Sequence, residues 1–500
     1  MFFHLADNHL HTTVRRLQFL QTIRRLRHVA ITMFLGVCVS NLFIGLIRGE
    51  GKPSEGVTPP VLHIQRTELL NGLRVISVER PGEMAVINLL VKTGSFSDPK
   101  DKVGLANLTA QSACFANGKL PLQRWKDELE FLGASIEIQS TMDSTIFQAK
   151  VRCSNIDAIL QLFARLVIQP VFIPEGIERI KCELSSSKLT ISEPQAIAEL
   201  NLGELVFGRT GCGRAESGTQ ESVKPLRAAD VESFHQAHYL PNNTALIIVG
   251  GPPLARLGDL VREKFGSWIK GKLQPLDPPI GPSPVKPVVR VIDQRTSADA
   301  LILLGHSAPP RQTPDFFALT VANTLLGGMG KSSRLEQAFA KREIPYQTVA
   351  SRVQLMQTCG RFEVSAKVPL SAVPAAFAAI LQGIEDLKTQ AVPEPELSQA
   401  KLALLSKHRA SLETEAGIAD QLTAIELFDL ARDLLTGFPL RVDQVSSERV
   451  QEAAKNYLSS TQISGVVLGE SQAVRAGLVE FRSFEISEVP ESSQKRSSAH

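Results

Sequence analysis

The stretches VINLLVKTG at 86–94 and ALILLGHSA at 300–308 decide the fold, because each opens a block of the chain in the same way. Both are short apolar runs typical of buried strands. Helical patterns follow them, from about Val103 in one block and from about Pro314 to Leu326 in the other. The repeated strand and helix indicate that the chain contains two similar blocks.

The same order of elements continues downstream. The first block has a strand STIFQAKV at 144–151 and a helix from Ile156 to Leu166, and the second has GRFEVSAKV at 360–368 and a helix from Ala372 to Leu387. A Pro/Glu turn then starts a long helix in both, in VFIPEGIERIKCELSSSKL and AVPEPELSQAKLALLSKH, at an offset of about 220 residues. Both blocks mix strands and helices. We therefore predict an α+β fold built as a tandem duplication of two homologous domains.

Composition divides the rest of the chain. The stretch PLDPPIGPSPVKP at 275–287 holds six prolines, which excludes a helix or a central strand there. The predicted segments are a basic N-terminal segment (1–28), a transmembrane anchor or signal sequence (29–47), a linker (48–60), a first domain (61–270), a Pro-rich linker (271–287), a second domain (288–482) and a flexible tail (483–500).

The N-terminal segment predicts export. Residues 29–47 are 19 residues without a charge, and five arginines precede them. Such a run spans roughly 28 Å as a helix, close to the thickness of the hydrocarbon core. The basic flank would stay in the cytoplasm, so the bulk of the chain is expected on the periplasmic or extracellular side. Secretion after cleavage of a signal peptide is the alternative.

The charge balance and the cysteines argue against nucleic-acid binding and against thiolate zinc sites. With 54 Lys+Arg against 51 Asp+Glu, the net charge of +3 gives no reason to expect nucleic-acid binding. Six cysteines without a C-x-x-C pair exclude the common thiolate zinc sites. Five of them lie beyond residue 47, and no particular disulfide is predicted. We expect Cys114 and Cys182 to be small core residues.

Three further stretches carry a resemblance. They are the opening TELLNGLRVISVERPGEMAVINLLVKTGSFSDPKDKVGLANLTAQ, the phrase FHQAHYLPNNTALIIVG at 234–250, and LLGGMGKSSRLEQAF at 325–339. In order and spacing the chain resembles the insulinase/pitrilysin family of zinc peptidases, whose relatives include the mitochondrial processing peptidase subunits. The resemblance covers roughly 65–480. It implies two family-like domains, with a helix, a Tyr-x-Pro-x-Asn turn and a returning strand at 234–250.

The resemblance also places the family's catalytic residues. Catalytic members carry H-x-x-E-H on the first helix, where two His one turn apart bind Zn²⁺ and the Glu acts as general base. In GLANLTAQSACF the two His positions hold Asn107 and Gln111, and Ala110 holds the place of the base. The later Glu ligand falls near Ser186. All four positions are changed, so we predict neither zinc nor catalysis there. The simplest interpretation is that Asn107 and Gln111 are polar positions on a partly exposed helix.

Other metal or phosphate sites are weaker hypotheses. Glu183 lies one turn before Ser186, but one carboxylate does not make a metal site. His235 and His238 with Glu232 have a possible ligand spacing, although the resemblance gives this segment a structural role. The glycines at 327, 328 and 330 favour a turn over a phosphate-binding loop, since no G-K-[ST] ending follows.

Two residues of the second block are candidate substrate-binding residues. Catalytic relatives use an Arg and a Tyr there. The Arg position falls near Ala340, with Arg342 as a substitute, and the Tyr near Tyr346, one residue short of the usual gap. A half-buried tyrosine at a strand start is the alternative for Tyr346. The family's His-Pro-Tyr is also missing after Phe207 and Gly208.

These observations predict a non-catalytic family member. Its expected role is a structural and peptide-binding subunit that pairs with a zinc-bearing homologue and cradles an extended peptide or unfolded segment. No cofactor is expected in this chain, and zinc is expected only in the catalytic partner. The alternatives are a stand-alone metallopeptidase with an unrecognised site and a scaffold for assembly without peptide binding.

Overall fold

A computed structural model gives the fold of the chain. It describes residues 62–113, 122–188, 194–208, 211–274, 286–294 and 297–489, and of 122–126, 185–188 and 488–489 it describes the backbone. The predicted segments 1–28, 29–47 and 48–60, most of the Pro-rich linker and the end of the tail lie outside these residues. So does Cys114.

The first half of the described chain contains both strands and helices. Its strands are β1 (Ile64–Glu68), β2 (Arg74–Val78), β3 (Met84–Val91), β4 (Ser135–Ser140), β5 (Thr145–Arg152) and β6 (Thr244–Val249). Its helices are α1 (Leu105–Ala113), α2 (Leu122–Phe131), α3 (Ile156–Ile168), α4 (Pro174–Lys188), α5 (Pro194–Phe207), α6 (Gln220–Val223), α7 (Ala228–His238) and α8 (Leu254–Phe265).

The second half has the same mixture. Its strands are β7 (Val288–Asp293), β8 (Asp299–Ala308), β9 (Thr348–Leu355), β10 (Gly360–Pro369), β11 (Ser464–Gly469) and β12 (Glu485–Val489). Its helices are α9 (Phe316–Asn323), α10 (Arg334–Lys341), α11 (Val373–Thr389), α12 (Glu394–Ser411), α13 (Glu415–Leu427), α14 (Leu434–Asp443), α15 (Ser447–Tyr457) and α16 (Ser471–Leu478).

Sheet topology confirms the duplication. One sheet has the order β1-β2-β6-β3-β5-β4 and the other β12-β7-β11-β8-β10-β9. From β2 and β7 onward, each sheet has one parallel pair followed by three antiparallel pairs. Five strands therefore match in order and in direction, which two unrelated α+β domains would not share.

The outer strands differ from the sequence-based expectation. Two strands, β1 and β2, precede the one that was expected to open the first block. The prediction of a flexible tail at 483–500 is wrong for its first residues, because Glu485–Val489 form strand β12, which pairs in parallel with β7. The alternating residues EISEV hold too few apolar side chains to predict a strand, but backbone hydrogen bonding to β7 is indifferent to side chains.

Each sheet packs its own helices against one face. The first core lies between that sheet and helices such as α1, α3, α7 and α8, and the second lies under α9, α10, α11 and α15. Helix α11, with the short turn before it (Leu370–Thr389), is apolar enough to span a membrane, and among the described residues no other helix is both long and apolar enough. Half of its apolar window is buried, and its apolar residues belong to the second core.

The opposite face of each sheet is covered by a helix from the other half. Helix α5 follows the first half's α4 in sequence, yet Ala198, Leu202 and Val206 pack on Leu303 and Val466 of the second sheet. Helix α13 does the reverse on the first sheet, through residues that include Ile418, Leu422 and Ile425. This exchange buries the sheet faces that a single half would leave apolar. The described residues of both halves belong to one compact unit.

Candidate functional site

Helix α1 is the element that carries the degenerate metal motif. It packs against α4, α7 and β4. The Asp98 carboxylate accepts hydrogen bonds from the backbone N–H groups of Gly104 and Ala106, both at 2.7 Å. Gly104 has φ +95°, and a Cβ there would lie 2.9 Å from the Gly218 Cα. These contacts fix the position at which the helix starts.

The three motif positions on α1 face the interior more than expected. Asn107 is 6% exposed, Ala110 is 0% exposed, and Gln111 is half-buried. The prediction that Asn107 and Gln111 are polar positions on a partly exposed helix is therefore wrong for Asn107, which is buried, and fits Gln111. The helix lies between a sheet and two further helices, which the helical pattern by itself did not indicate. A buried methyl group at position 110 can neither bind a metal nor accept a proton.

Helix α4 lies beside α1, as the resemblance requires for a third ligand. The backbone of Ser186 is on this helix, and its side chain lies outside the described residues. The Glu183 side chain is half exposed and accepts a hydrogen bond from Arg179 Nε at 3.1 Å. The structure thus brings the two helices together, while α1 (LANLTAQSA) contributes no carboxylate or imidazole side chain.

The described residues contain no group of three or more His, Cys, Asp or Glu side chains that could hold a metal ion. Of the alternative pair, His235 is buried and stacks on Tyr239 with ring centroids 4.3 Å apart, and burial lowers its pKa to about 4. His238 instead packs against Phe234 with the two rings tilted and their centroids 4.4 Å apart. The two rings pack in an aromatic core and serve a structural role.

The two candidate substrate-binding residues lie between α10 and β9. Arg342 is exposed at the C-cap of α10. Tyr346 is half-buried against Phe339, with ring centroids 5.4 Å apart, and its hydroxyl donates a hydrogen bond to Glu336. This hydrogen bond to the carboxylate raises the pKa of Tyr346 to about 12. Tyr346 thus remains a neutral hydroxyl, held by a carboxylate, at neutral pH.

A buried ionic cluster joins the two halves. Glu363 on β10 is 3% exposed and forms ion pairs with Arg352 on β9 and with Arg361, the latter at 2.9 Å. Arg352 also reaches Glu199 on the exchanged helix α5, at 3.3 Å. Burial raises the pKa of Glu216 to about 7, against the attraction of Arg361. Carboxylates outnumber cations in this cluster, which favours one of them binding a proton.

The turn between β4 and β5 adds a further carboxylate at this junction. Asp143 is 5% exposed and accepts the backbone N–H of Gln357, with its two oxygens at 3.2 and 3.3 Å. Gln357 lies in the turn between β9 and β10 of the second half. Burial raises the pKa of Asp143 to about 7, and the charge of Glu216 adds to this effect.

A disulfide closes the same junction. Cys212, just after α5, is bonded to Cys359 in the β9–β10 turn, 147 residues away. The sequence did not predict this pairing, because nothing local indicates which cysteines meet across 147 residues. Cys182 is exposed on α4, so the expectation that it is a core residue is wrong. It follows Lys181, whose buried side chain takes the inward position of that turn.

The chain is similar to known proteins over most of its length. A family profile described as insulinase (peptidase family M16) matches residues 74–219, and one described as the peptidase M16 inactive domain matches 225–404. An uncharacterized zinc protease of Mycobacterium tuberculosis is 25% identical over 86% of this chain and 97% of its own length. The human mitochondrial-processing peptidase subunit beta is 23% identical over 81% of this chain and 85% of its own.

The chain belongs to the insulinase family, peptidase family M16. Solved structures agree at the level of the fold. A peptidase M16 inactive domain from Pseudomonas fluorescens has a TM-score of 0.75 at 21% identity, covering 82% of this chain and 98% of that one. A protease from Helicobacter pylori has a TM-score of 0.74 at 19% identity, covering 82% and 100%.

Within this M16 fold, sequence reasoning missed the ionic cluster. A signal was present, because Arg361 and Glu363 alternate with apolar residues in GRFEVSAKV and so share one face of β10. Two charges on a strand buried on both sides predict a covering element that pairs with them. That this element is α5 of the other half depends on tertiary packing, which the local pattern does not contain.

Proposed function

We propose that this chain is a non-catalytic M16 subunit that holds peptide segments for a zinc-bearing homologue. The observation that carries the proposal is Ala110, fully buried where catalytic relatives have their general base. The helix around it is capped, packed and intact although its chemistry is absent. Retention of the fold without the chemistry favours a role for shape and surface over hydrolysis.

The peptide-binding surface in this proposal is formed by the sheet edges and by the segment after α10. In the described part of the chain, β4 and β9 are the last strands of their sheets and pair on one side only. An extended peptide can add to such an edge through backbone hydrogen bonds, which do not depend on its sequence. Arg342 and the Tyr346 hydroxyl, which lie just before β9, would then contact side chains or carbonyl groups of that peptide.

The partner in this proposal is an M16 homologue that carries H-x-x-E-H and supplies the zinc. Residues 29–47 would hold the chain at a membrane, with the bulk on the periplasmic or extracellular side, or would be removed as a signal sequence. The disulfide between Cys212 and Cys359 supports an oxidising compartment, where such bonds persist.

Two measurements on the purified full-length chain and two on cells test this proposal. Elemental analysis should find no stoichiometric zinc, and the chain should bind an extended unfolded peptide without cleaving it. Pull-downs at native expression should recover an H-x-x-E-H homologue.

Hydrolysis by the chain alone, together with one tightly held zinc, would support the stand-alone peptidase instead. Partner binding without any peptide binding would support the assembly scaffold. Cell fractionation should find the chain in the membrane, or a mature form outside the cytoplasm.

A further inference from the structure

A cleft on the second half has no role in the proposed function. It lies between the segment before α9 and the segment that joins α13 to α14, and its volume is about 430 Å³. Arg311, Phe316 and Phe317 line one side, and Leu430 and Leu434 line the other. A cleft of this size accommodates a small ligand or one to two peptide residues.

Arg311 is the group in this cleft whose charge lacks a counter-charge. Its guanidinium carbon lies 3.3 Å from the centroid of the Phe316 ring. Neither an ion pair nor a hydrogen bond joins this guanidinium to any other described residue. Burial lowers the pKa of Arg311 to about 10, and no neighbouring carboxylate opposes that effect. A partly desolvated cation without an anion is costly, and a bound anion would offset this cost.

The remaining charges that line the cleft are already neutralised. Arg441 donates to both carboxylate oxygens of Asp433, each at 3.0 Å. Asp429 pairs with Lys92 at 2.7 Å and with Arg74 at 3.4 Å, both from the first half. The cleft therefore has one uncompensated positive charge, and it should attract an anion.

The wall beside Arg311 is mixed, with Gln312 and Thr313 among its polar residues and an apolar part formed by phenylalanine and leucine side chains. Phe317 packs on Phe438 with ring centroids 5.6 Å apart and joins the second core. Leu430 and Leu434 are partly buried and pack against the core under α13. A ligand that fits both features has an apolar or aromatic group next to its negative charge. A fully hydrated inorganic anion would leave these walls without a partner.

We propose that this cleft binds a molecule in which a carboxylate lies next to an apolar group, with the carboxylate paired to Arg311. The guanidinium presents two parallel N–H donors, a geometry that matches the two oxygens of a carboxylate. The apolar group would lie between Phe317 and the leucines at 430 and 434. This chemistry is shared by small aromatic or aliphatic acids and by the C-terminal residue of a peptide. The proposal does not depend on a catalytic partner.

Calorimetric titration of the full-length chain tests the site with 3-phenylpropionate and its neutral amide. The acid should bind, and the amide should bind at least about tenfold more weakly, because it lacks the charge that pairs with Arg311. Arg311→Met should weaken binding of the acid by a similar factor. Arg449→Met is the matched control, since Arg449 is already paired with Asp315 at 3.0 Å and does not line the cleft. It should leave the affinity unchanged.

A second pair of probes separates the two sources of the carboxylate. If acetyl-Ala-Ala-Phe with a free C-terminus binds as tightly as the small acid, and its C-terminal amide does not, the cleft takes peptide C-termini. If the small acid alone binds, it takes free amphipathic acids. Either result supports the site.

Equal affinity for acid and amide, unchanged affinity in Arg311→Met, or no binding at millimolar acid would each overturn it. Should Arg311→Met fail to fold, the acid and amide comparison on the wild-type chain decides.

Discussion

Ala110 lies at the position where the loss of chemistry is most complete. Its methyl group is fully buried between α1 and the elements packed on it, and Asn107 one turn earlier is nearly so. The sequence predicted the loss of ligands and base from the motif alone. It did not predict the burial, because a nine-residue helix with mixed residues does not indicate how many elements surround it.

Restoring the acid at position 110 should therefore destabilise the chain without restoring a site. Ala110→Glu buries a carboxylate on a helix whose own side chains include no cation to pair with it. We expect the free energy of unfolding to fall by about 2–4 kcal/mol in urea denaturation, with no gain of zinc. Gln111→Glu is the control. Because Gln111 is half-buried, this substitution should lower the free energy of unfolding by less than about 1 kcal/mol. If the Ala110→Glu variant were as stable as the wild type, the surroundings of residue 110 would already accommodate an acidic side chain.

Asp143 should make stability depend on pH. Its pKa is about 7 in the folded chain and close to ~3.9 when unfolded, so the folded state keeps its proton over a range where the unfolded state loses it. The free energy of unfolding should then fall as the pH rises from 5 to 7, by up to about 1.4 kcal/mol per pH unit from this group, and level off above 7.

Asp143→Asn should remove that share of the slope in urea denaturation at pH 5, 6, 7 and 8. The amide oxygen can still accept the Gln357 N–H, so the fold should persist. Asp101→Asn, at an exposed position, is the control and should run parallel to the wild type. An Asp143→Asn curve that also runs parallel to the wild type would contradict the assignment.

Arg342 and Tyr346 should contribute to peptide binding and not to folding of the core. Arg342→Ala removes an exposed charge, and Tyr346→Phe removes the hydroxyl that donates to Glu336 while it keeps the ring on Phe339. Together they should weaken binding of an extended peptide by about tenfold, a loss of about 1.4 kcal/mol, in fluorescence anisotropy. Lys341→Ala, an exposed neighbouring cation, is the control. Unchanged affinity in the double variant would remove both residues from the site.

At the scale of elements, the sequence predicted those that carry their own pattern. The strands at 86–94, 144–151, 300–308 and 360–368 and the helices that follow them are confirmed within a few residues, because alternating or continuous apolar runs determine them. The turn at 241–243 is confirmed as well. The turn predicted at the glycines is wrong for Gly327 and Gly328, which lie in a π-helical continuation of α9 (Thr324–Gly328), and a short 3₁₀ segment begins at Gly330. Short polar strands such as β1 and β12 were missed, since their pairing depends on a neighbour distant in sequence.

The exchanged helices α5 and α13 link the stability of each half to the other. Leu202 on α5 is fully buried on the second sheet, and Leu422 on α13 is buried on the first. Leu202→Ala should cost about 2–5 kcal/mol and should lower hydrogen-exchange protection in β8 and β11 more than in β3 and β6. Leu422→Ala should do the opposite. Loss of protection confined to the half that contains the substitution in sequence would contradict the exchange.

The described chain consists of two halves of similar topology, and a helix of each half packs on the sheet of the other. The duplication could be predicted from repeated elements at a constant offset. The covering of each sheet by the other half's helix, the ionic cluster and the disulfide all lie at the junction. These features come from residues more than a hundred positions apart, which local patterns do not relate to each other. The junction therefore joins the two halves through side chains that each half contributes.

If this chain acts through a catalytic homologue, as proposed, cleavage should depend on the ratio of the two proteins, which a titration measures. The full-length chain is added in rising amounts to a fixed amount of the H-x-x-E-H homologue, and cleavage of an unfolded fluorogenic peptide is measured. We predict no cleavage by this chain alone and a rate that rises and then saturates near one chain per homologue. A rate that is independent of the added chain, or cleavage by this chain without the homologue, would contradict the account.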